Sequence, residues 1–167
     1  KKINKYTILV SFMDVYKNKI KKIKINNKHY FIPLYKRIYE IDSNIFYINI
    51  KSNSKFNIID DYDIEYTLNI SLYEALFEKQ ILIYNPNQEL IRININKSII
   101  NNNDFYIKNQ GLPLNENGSK KGNMYLNFNI ILPETIDKDY FYNNFSPITH
   151  KLDSNTRIGD FTDVILQ

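Results

Sequence analysis

The densest set of charged side chains lies between residues 17 and 25, where Lys17, Lys19, Lys21, Lys22 and Lys24 interleave with Ile20, Ile23 and Ile25. In an extended run side chains alternate between faces, so Lys21, Ile23 and Ile25 share one face while Lys22 and Lys24 share the other. A lysine bordering an apolar strip suits an extended ligand with apolar side chains and acidic ends. A solvated basic strand produced by biased codon usage fits the same residues. A second cluster, Asp60, Asp61, Asp63 and Glu65, could hold a hard cation, although a solvated linker explains it with nothing further. There is no Gly-rich phosphate loop, no Ser elbow between glycines and no His pair at metal spacing. The two histidines, His29 and His150, lie far apart, and the absence of cysteine removes both disulfides and a thiolate zinc site. Neither a metal, a cofactor nor an enzymatic activity is expected.

The elements that must position these residues come from an internal repeat. At an offset of 60 residues, Tyr6-Thr7-Ile8-Leu9-Val10-Ser11-Phe12-Met13-Asp14-Val15-Tyr16 aligns with Tyr66-Thr67-Leu68-Asn69-Ile70-Ser71-Leu72-Tyr73-Glu74-Ala75-Leu76. Each copy opens with a β-rich run, then places Ser three residues before an acid, the signature of a capping box at the start of a helical turn. The pattern predicts strand, short helix, strand, with second strands at 19–25 and 80–84. Copy two then turns at Asn85-Pro86-Asn87-Gln88 and returns through 89–96, where Ile91, Ile93 and Ile95 alternate with Arg92 and Asn94 as in a half-buried hairpin. Further strands are expected at 29–34, 37–41, 45–50, 105–108 and 124–132.

The fold class read from these elements is mainly β. It comprises two consecutive β-sandwich-like subdomains at 1–62 and 63–137, each with a short helix, and a C-terminal segment at 138–167. In that segment Ile158, Phe161 and Ile165 fall on one helical face with Asp160 as a cap, giving a short helix for docking or dimerisation. The chain starts without Met and enters a strand-like run within six residues, as a fragment cut from a longer protein at a domain boundary would.

The 167 residues carry a net charge of +4, divided as +9 over residues 1–60 and −5 over the remainder. Ile (29) and Asn (25) are in such excess that neither type alone carries much inference. No run approaches the roughly 18 apolar residues of a membrane span, so a soluble, cytoplasmic chain without a membrane partner is expected. Nucleic acid is disfavoured as a partner, because the basic patch is short, interleaved with Ile rather than aromatics, and followed by an acidic second half.

The order of these motifs resembles the C-terminal substrate-binding region of DnaJ-type co-chaperones, the heat-shock protein 40 family. Val10 to Tyr16 followed by Lys21-Lys22-Ile23-Lys24-Ile25 resembles its first β-subdomain, and Phe46-Tyr47-Ile48 through Phe56 its last strand and the connection onward. Tyr66 to Leu76, Gln110-Gly111-Leu112-Pro113, and Gly122 to Phe128 leading to Leu132-Pro133-Glu134 resemble the second subdomain. The resemblance implies a shallow apolar groove that captures unfolded polypeptide, lined by Tyr6, Ile8, Ile23, Ile25 and Phe46 with Lys21 at its rim. It implies further that Lys21, Lys22 and Lys24 receive the acidic C-terminal tail of the seventy-kilodalton heat-shock chaperone, and that the protein homodimerises. Lack of cysteine matches the class without a zinc-binding insert. Asn18 and Glu78 stand where the family commonly has Gly after the helical turn; Asn tolerates a left-handed backbone there and Glu does so poorly. The alternative is a β-rich interaction or scaffold module that keeps the fold without chaperone activity.

Overall fold

The computed structural model describes residues 2–100 and 105–140. The helix foreseen around Ile158, Phe161 and Ile165 lies outside them. Residues 1–132 form one compact unit and 133–167 another. Of the second unit, the described part has Asp137 Oδ1 accepting from the amides of Asp139 and Tyr140 at 3.0 Å, which caps a helical turn at 138–140.

In the first unit the 60-residue offset reappears as topology. β1 (Asn4–Val10) leads into α1 (Phe12–Tyr16), then the hairpin β2 (Ile20–Ile25) and β3 (Lys28–Pro33), then β4 (Ile38–Ile41) and β5 (Asn44–Ile50). β6 (Phe56–Ile58) precedes the second round: β7 (Ile64–Ser71), α2 (Leu72–Phe77), the hairpin β8 (Gln80–Tyr84) and β9 (Leu90–Asn94), then β10 (Phe105–Ile107) and β11 (Met124–Ile131). β1 pairs in parallel with β5 and β7 in parallel with β11, so in both rounds the helix and its hairpin form the crossover that a parallel pair requires. The sheets run β1-β5-β4 and β10-β11-β7-β6, and the hairpins β2-β3 and β8-β9 stand apart as two-stranded ribbons. The fold is mainly β, as the sequence pattern predicts.

Local chemistry explains the joints. Ser11 and Ser71 stay extended and accept from the amides of Asp14 and Glu74, both at 3.1 Å, ending each strand and starting each helix. Only the second is a full capping box, with Glu74 Oε2 accepting from the Ser71 amide at 2.7 Å. Asp14 is one carbon shorter and instead holds Lys19 at 2.8 Å. Asn18 turns the chain after α1 with φ of 52°, whereas Glu78 stays extended at φ −75°, so the second helix ends without a left-handed residue. Asn26-Asn27 and Asp42-Ser43 have positive φ at both positions, the requirement of two-residue hairpin turns.

Alternation supplies the core: Ile8 and Val10, Tyr30 and Ile32, Phe46 and Ile48, and Met124 and Leu126 all point inward from their strands. Gly111 and Gly122 flank the connector between the rounds so closely that a Cβ on either would meet the Tyr62 carbonyl oxygen, at 2.4 and 2.2 Å.

Candidate functional site

The β2-β3 hairpin sorts the lysine cluster. Residues directly opposite in an antiparallel pair share a face. One face holds Lys21 opposite Ile32, Ile23 opposite Tyr30 and Ile25 opposite Lys28; the other holds Ile20 opposite Pro33, Lys22 opposite Phe31 and Lys24 opposite His29. The division of Lys21, Ile23 and Ile25 from Lys22 and Lys24 is the one that alternation predicts. Tyr30 and Ile32 are buried, Ile23 and Ile25 are half-buried, and Lys21, Lys22 and Lys24 are exposed. The inward face is therefore an apolar strip with a lysine at each end.

Those end positions are not electrostatically alike. Lys28 is ion-paired with Asp42 in the β4-β5 turn, which raises its pKa chiefly through that hydrogen bond. Lys19 is paired with Asp14, whose carboxyl is held below its ordinary range by Lys19 first and the Ser11 hydroxyl second. Lys21, Lys22 and Lys24 make no ion pair among the described residues. Lys22 instead lies 5.6 Å from the centre of the Phe31 ring, beside an Ile20 that is 63% exposed. Phe31, itself 60% exposed, is a surface feature that the sequence did not single out; the alternation of His29 and Phe31 against buried Tyr30 and Ile32 was its signal.

Tyr6, Ile8 and Phe46 belong to the adjoining parallel pair. Tyr6 is opposite Phe46 and stacks on it at 5.6 Å with a 22° interplanar angle, and Tyr30 reaches the same ring at 5.3 Å. Phe46 is fully buried and Ile8 nearly so, which makes them the floor; Tyr6 is half-buried and reaches the surface. Tyr30 ties hairpin to sheet: its hydroxyl accepts from Asn44 Nδ2 at 3.1 Å, and Asn4 Nδ2 donates to Asn44 Oδ1 at 3.3 Å. Of the residues that the family resemblance brought together, three half-buried apolar side chains and three exposed lysines are available to a ligand.

The second round builds the same junction with different chemistry. A cleft of about 450 Å³ opens between β7 and the β8-β9 hairpin, lined by Tyr66, Leu68, Ile70, Ile81 and Ile83 with Glu74 at its edge. Where copy one has Lys22 and Lys24 facing outward, copy two has exposed Leu82 and Tyr84. The acidic run near residue 60 is occupied structurally: Asp63 Oδ1 accepts from the Asn123 amide at 2.7 Å and Asp60 Oδ1 from the Asp61 amide at 2.6 Å. Among the described residues no group of three or more His, Cys, Asp or Glu could hold a metal ion, and no helix is long and apolar enough to cross a membrane.

Comparison with known proteins follows the same lines. A family model described as the DnaJ C terminal domain matches residues 40–133. The chain is 32% identical over 91 residues to the chaperone protein DnaJ of Mycoplasma mycoides subsp. mycoides, covering 54% of this chain and 24% of that protein. It has the same identity and coverage against the chaperone protein DnaJ of Mycoplasma capricolum subsp. capricolum. The chain thus spans about a quarter of the length of the curated relatives it matches. The family match begins at β4, so Phe46 lies inside it while Tyr6, Ile8, Lys21, Lys22, Ile23, Lys24 and Ile25 lie before it.

Proposed function

The chain belongs to the DnaJ C-terminal domain family, and from that premise we propose that it is a non-enzymatic co-chaperone module that captures unfolded polypeptide and docks the acidic tail of a seventy-kilodalton heat-shock chaperone. Capture uses Tyr6, Ile23 and Ile25 as the contact surface over a floor of Ile8 and Phe46. Lys21 marks the rim, and Lys22 and Lys24 take the tail carboxylates from the outer face. The observation that carries this reading is the hairpin itself, in which half-buried Ile23 and Ile25 alternate with Lys21, Lys22 and Lys24, which form no ion pair among the described residues.

The energetics suit reversible capture. Covering a few half-exposed apolar side chains yields little, at about 25 cal/mol per Å², and exposed lysines add at most about 1 kcal/mol each once screened. Both contributions tolerate sequence variation in the ligand. The protein is proposed to work as a homodimer in the cytoplasm, with 1–62 and 63–137 as its two β-subdomains.

Titration of a peptide with an acidic C-terminus against the chain and against Lys21→Glu/Lys22→Glu tests the tail site. The unsubstituted chain should bind and the double variant should lose at least tenfold. No binding by the former, or equal binding by both, refutes the assignment. Suppression of client aggregation by Ile23→Ser tests the apolar strip separately; activity equal to that of the parent removes Ile23 from it.

A further inference from the structure

The two rounds of the fold are tied to each other at three separate places. First, aromatic rings form a ladder across the boundary, from Tyr16 to Phe12 at 6.0 Å, Phe12 to Phe56 at 5.9 Å and Phe56 to Tyr66 at 5.0 Å. Second, the end of α1 docks on the 110–121 loop. Asn18 Nδ2 donates to the Glu116 carbonyl at 2.6 Å, and Gly118 faces that amide closely, with a Cβ position only 3.3 Å from it. Tyr16 Oη donates to Gln110 Oε1 at 3.5 Å, Asn85 Nδ2 donates to the same oxygen at 3.3 Å, and Lys121 Nζ sits 4.7 Å from the centre of the Tyr16 ring. Third, Arg37 forks between the Leu34 carbonyl at 3.1 Å and the Asp61 carbonyl at 2.7 Å, with its guanidinium 5.6 Å from the centre of the Tyr62 ring.

A hinge needs a few residues free to absorb backbone rotation and little that crosses the boundary. Here the connector itself is bonded. Asn53 Oδ1 accepts from the amides of Lys55 and Phe56, the Ile59 amide donates to the Asp63 carbonyl, and the Tyr62 carbonyl accepts from Leu112 at 2.7 Å between the two glycines. Rotation about any one of the three ties breaks the other two.

We infer that this junction is a rigid coupler, built by Tyr16, Asn18 and Arg37 of the first round against Gln110, Glu116 and Tyr62 of the second, which holds the two hairpins at one fixed separation. The consequence for function, which rests on the reading proposed above, is bivalence. A polypeptide long enough to touch both hairpins meets the second at an effective concentration set by a constant span, not one averaged over a flexible linker. The two hairpins differ in charge on their outward faces, Lys22 and Lys24 against Leu82 and Tyr84, so a fixed span also fixes which part of the polypeptide each can take.

Because the chain has no cysteine, His29→Cys and Asn94→Cys, both at exposed positions, give a unique pair for spin labels, one in each hairpin. Pulsed electron-spin distance measurement should return a single narrow peak. Combining Asn18→Gly, Gln110→Ala and Arg37→Lys should broaden or split it, while affinity for the acidic-tail peptide changes less than about twofold. Asn18→Gly keeps the left-handed turn that φ of 52° demands, so Asn18→Gly/Arg37→Lys, which releases two of the three ties, serves if the triple variant does not fold. A broad peak with the junction intact, or an unaltered peak in the folded variants, overturns the coupler. Failure of the parent chain to bind the tail peptide, with its peak narrow and that of the variants broadened, counts against the tail site and leaves the coupler standing.

Discussion

Adding one methyl group at Gly122 should cost the protein a large share of its stability. A Cβ there would lie 2.2 Å from the Tyr62 carbonyl oxygen, 2.5 Å from its carbon and 2.7 Å from Asp63 Oδ1. Two of these three atoms are backbone and cannot rotate away. Gly122 cannot retreat either, since its amide donates to the Leu112 carbonyl at 2.9 Å and its carbonyl accepts from Gly111 at 2.8 Å. The connector must therefore move, and with it go the Leu112 to Tyr62 bond and the Asn123 to Asp63 bond, both 2.7 Å. Two hydrogen bonds at about 1 kcal/mol each, plus overpacking of about 1–3 kcal/mol, give a loss of about 3–5 kcal/mol. Against a typical domain stability of about 5–15 kcal/mol that is a severe change. Gly118→Ala is the matched control. Its cost is the left-handed φ of 67°, about 1–2 kcal/mol, because the nearest atom is the end of the Asn18 side chain at 3.3 Å and can yield. With a urea slope of about 2 kcal/mol per molar, circular dichroism should show the midpoint falling by roughly 2 M for Gly122→Ala and by less than about 1 M for Gly118→Ala. Equal shifts, or the reverse order, would refute the close passage of the connector between the two glycines.

The two caps should differ in the same sense as their bonds. Ser71→Ala/Glu74→Ala removes both bonds of a reciprocal pair and should cost about 1–2 kcal/mol, while Ser11→Ala removes a single bond and should cost about 0.5–1 kcal/mol; thermal unfolding that shows equal losses contradicts this. At alkaline pH the buried Tyr16 becomes a liability. Burial first, and the Glu89 carboxylate second, push its pKa up from 10.0 to about 12, with Lys121 lying across the ring. A raised folded pKa means a contribution fully present below pH 10 and lost as pH rises towards 12, of the order of 2–3 kcal/mol. The stability of the parent relative to Tyr16→Phe should therefore fall across that window and be flat below it; a flat difference throughout would place the hydroxyl in solvent.

Much of the fold is legible because its signals are local. Ser11 and Ser71, each three residues before an acid, mark both helix starts, and the alternation of Ile81, Ile83, Ile91 and Ile93 marks the second hairpin to within two residues. The parallel pairing of β1 with β5 and of β7 with β11 is not local, and nothing in alternation distinguishes it from an antiparallel return. The coupler is less legible still. Tyr16 meets Gln110 across 94 residues and Asn18 meets Glu116 across 98, through a loop whose Asn-rich composition looks the same whether it packs or not.

The candidate site divides along a physical line. Inward positions of both hairpins are constrained by the core, and there the copies agree: Ile23 with Tyr30 and Ile32 in one, Ile81 and Ile83 with Ile91 and Ile93 in the other. Outward positions carry no such constraint, and there the copies diverge into Lys22 and Lys24 against Leu82 and Tyr84. A pattern of isoleucine and lysine shows the first kind of position well and the second poorly, because any exposed lysine satisfies solvent. At Phe46 alternation stops separating core from surface. In the run Asn44 to Ile50 both faces carry apolar side chains, so alternation cannot tell core from surface; the stack with Tyr6 and contact with Tyr30 decide it. Two charges of the +9 carried by residues 1–60, Lys22 and Lys24, therefore fall on the outward face of one hairpin, at positions that the core does not constrain and that Leu82 and Tyr84 take in the other.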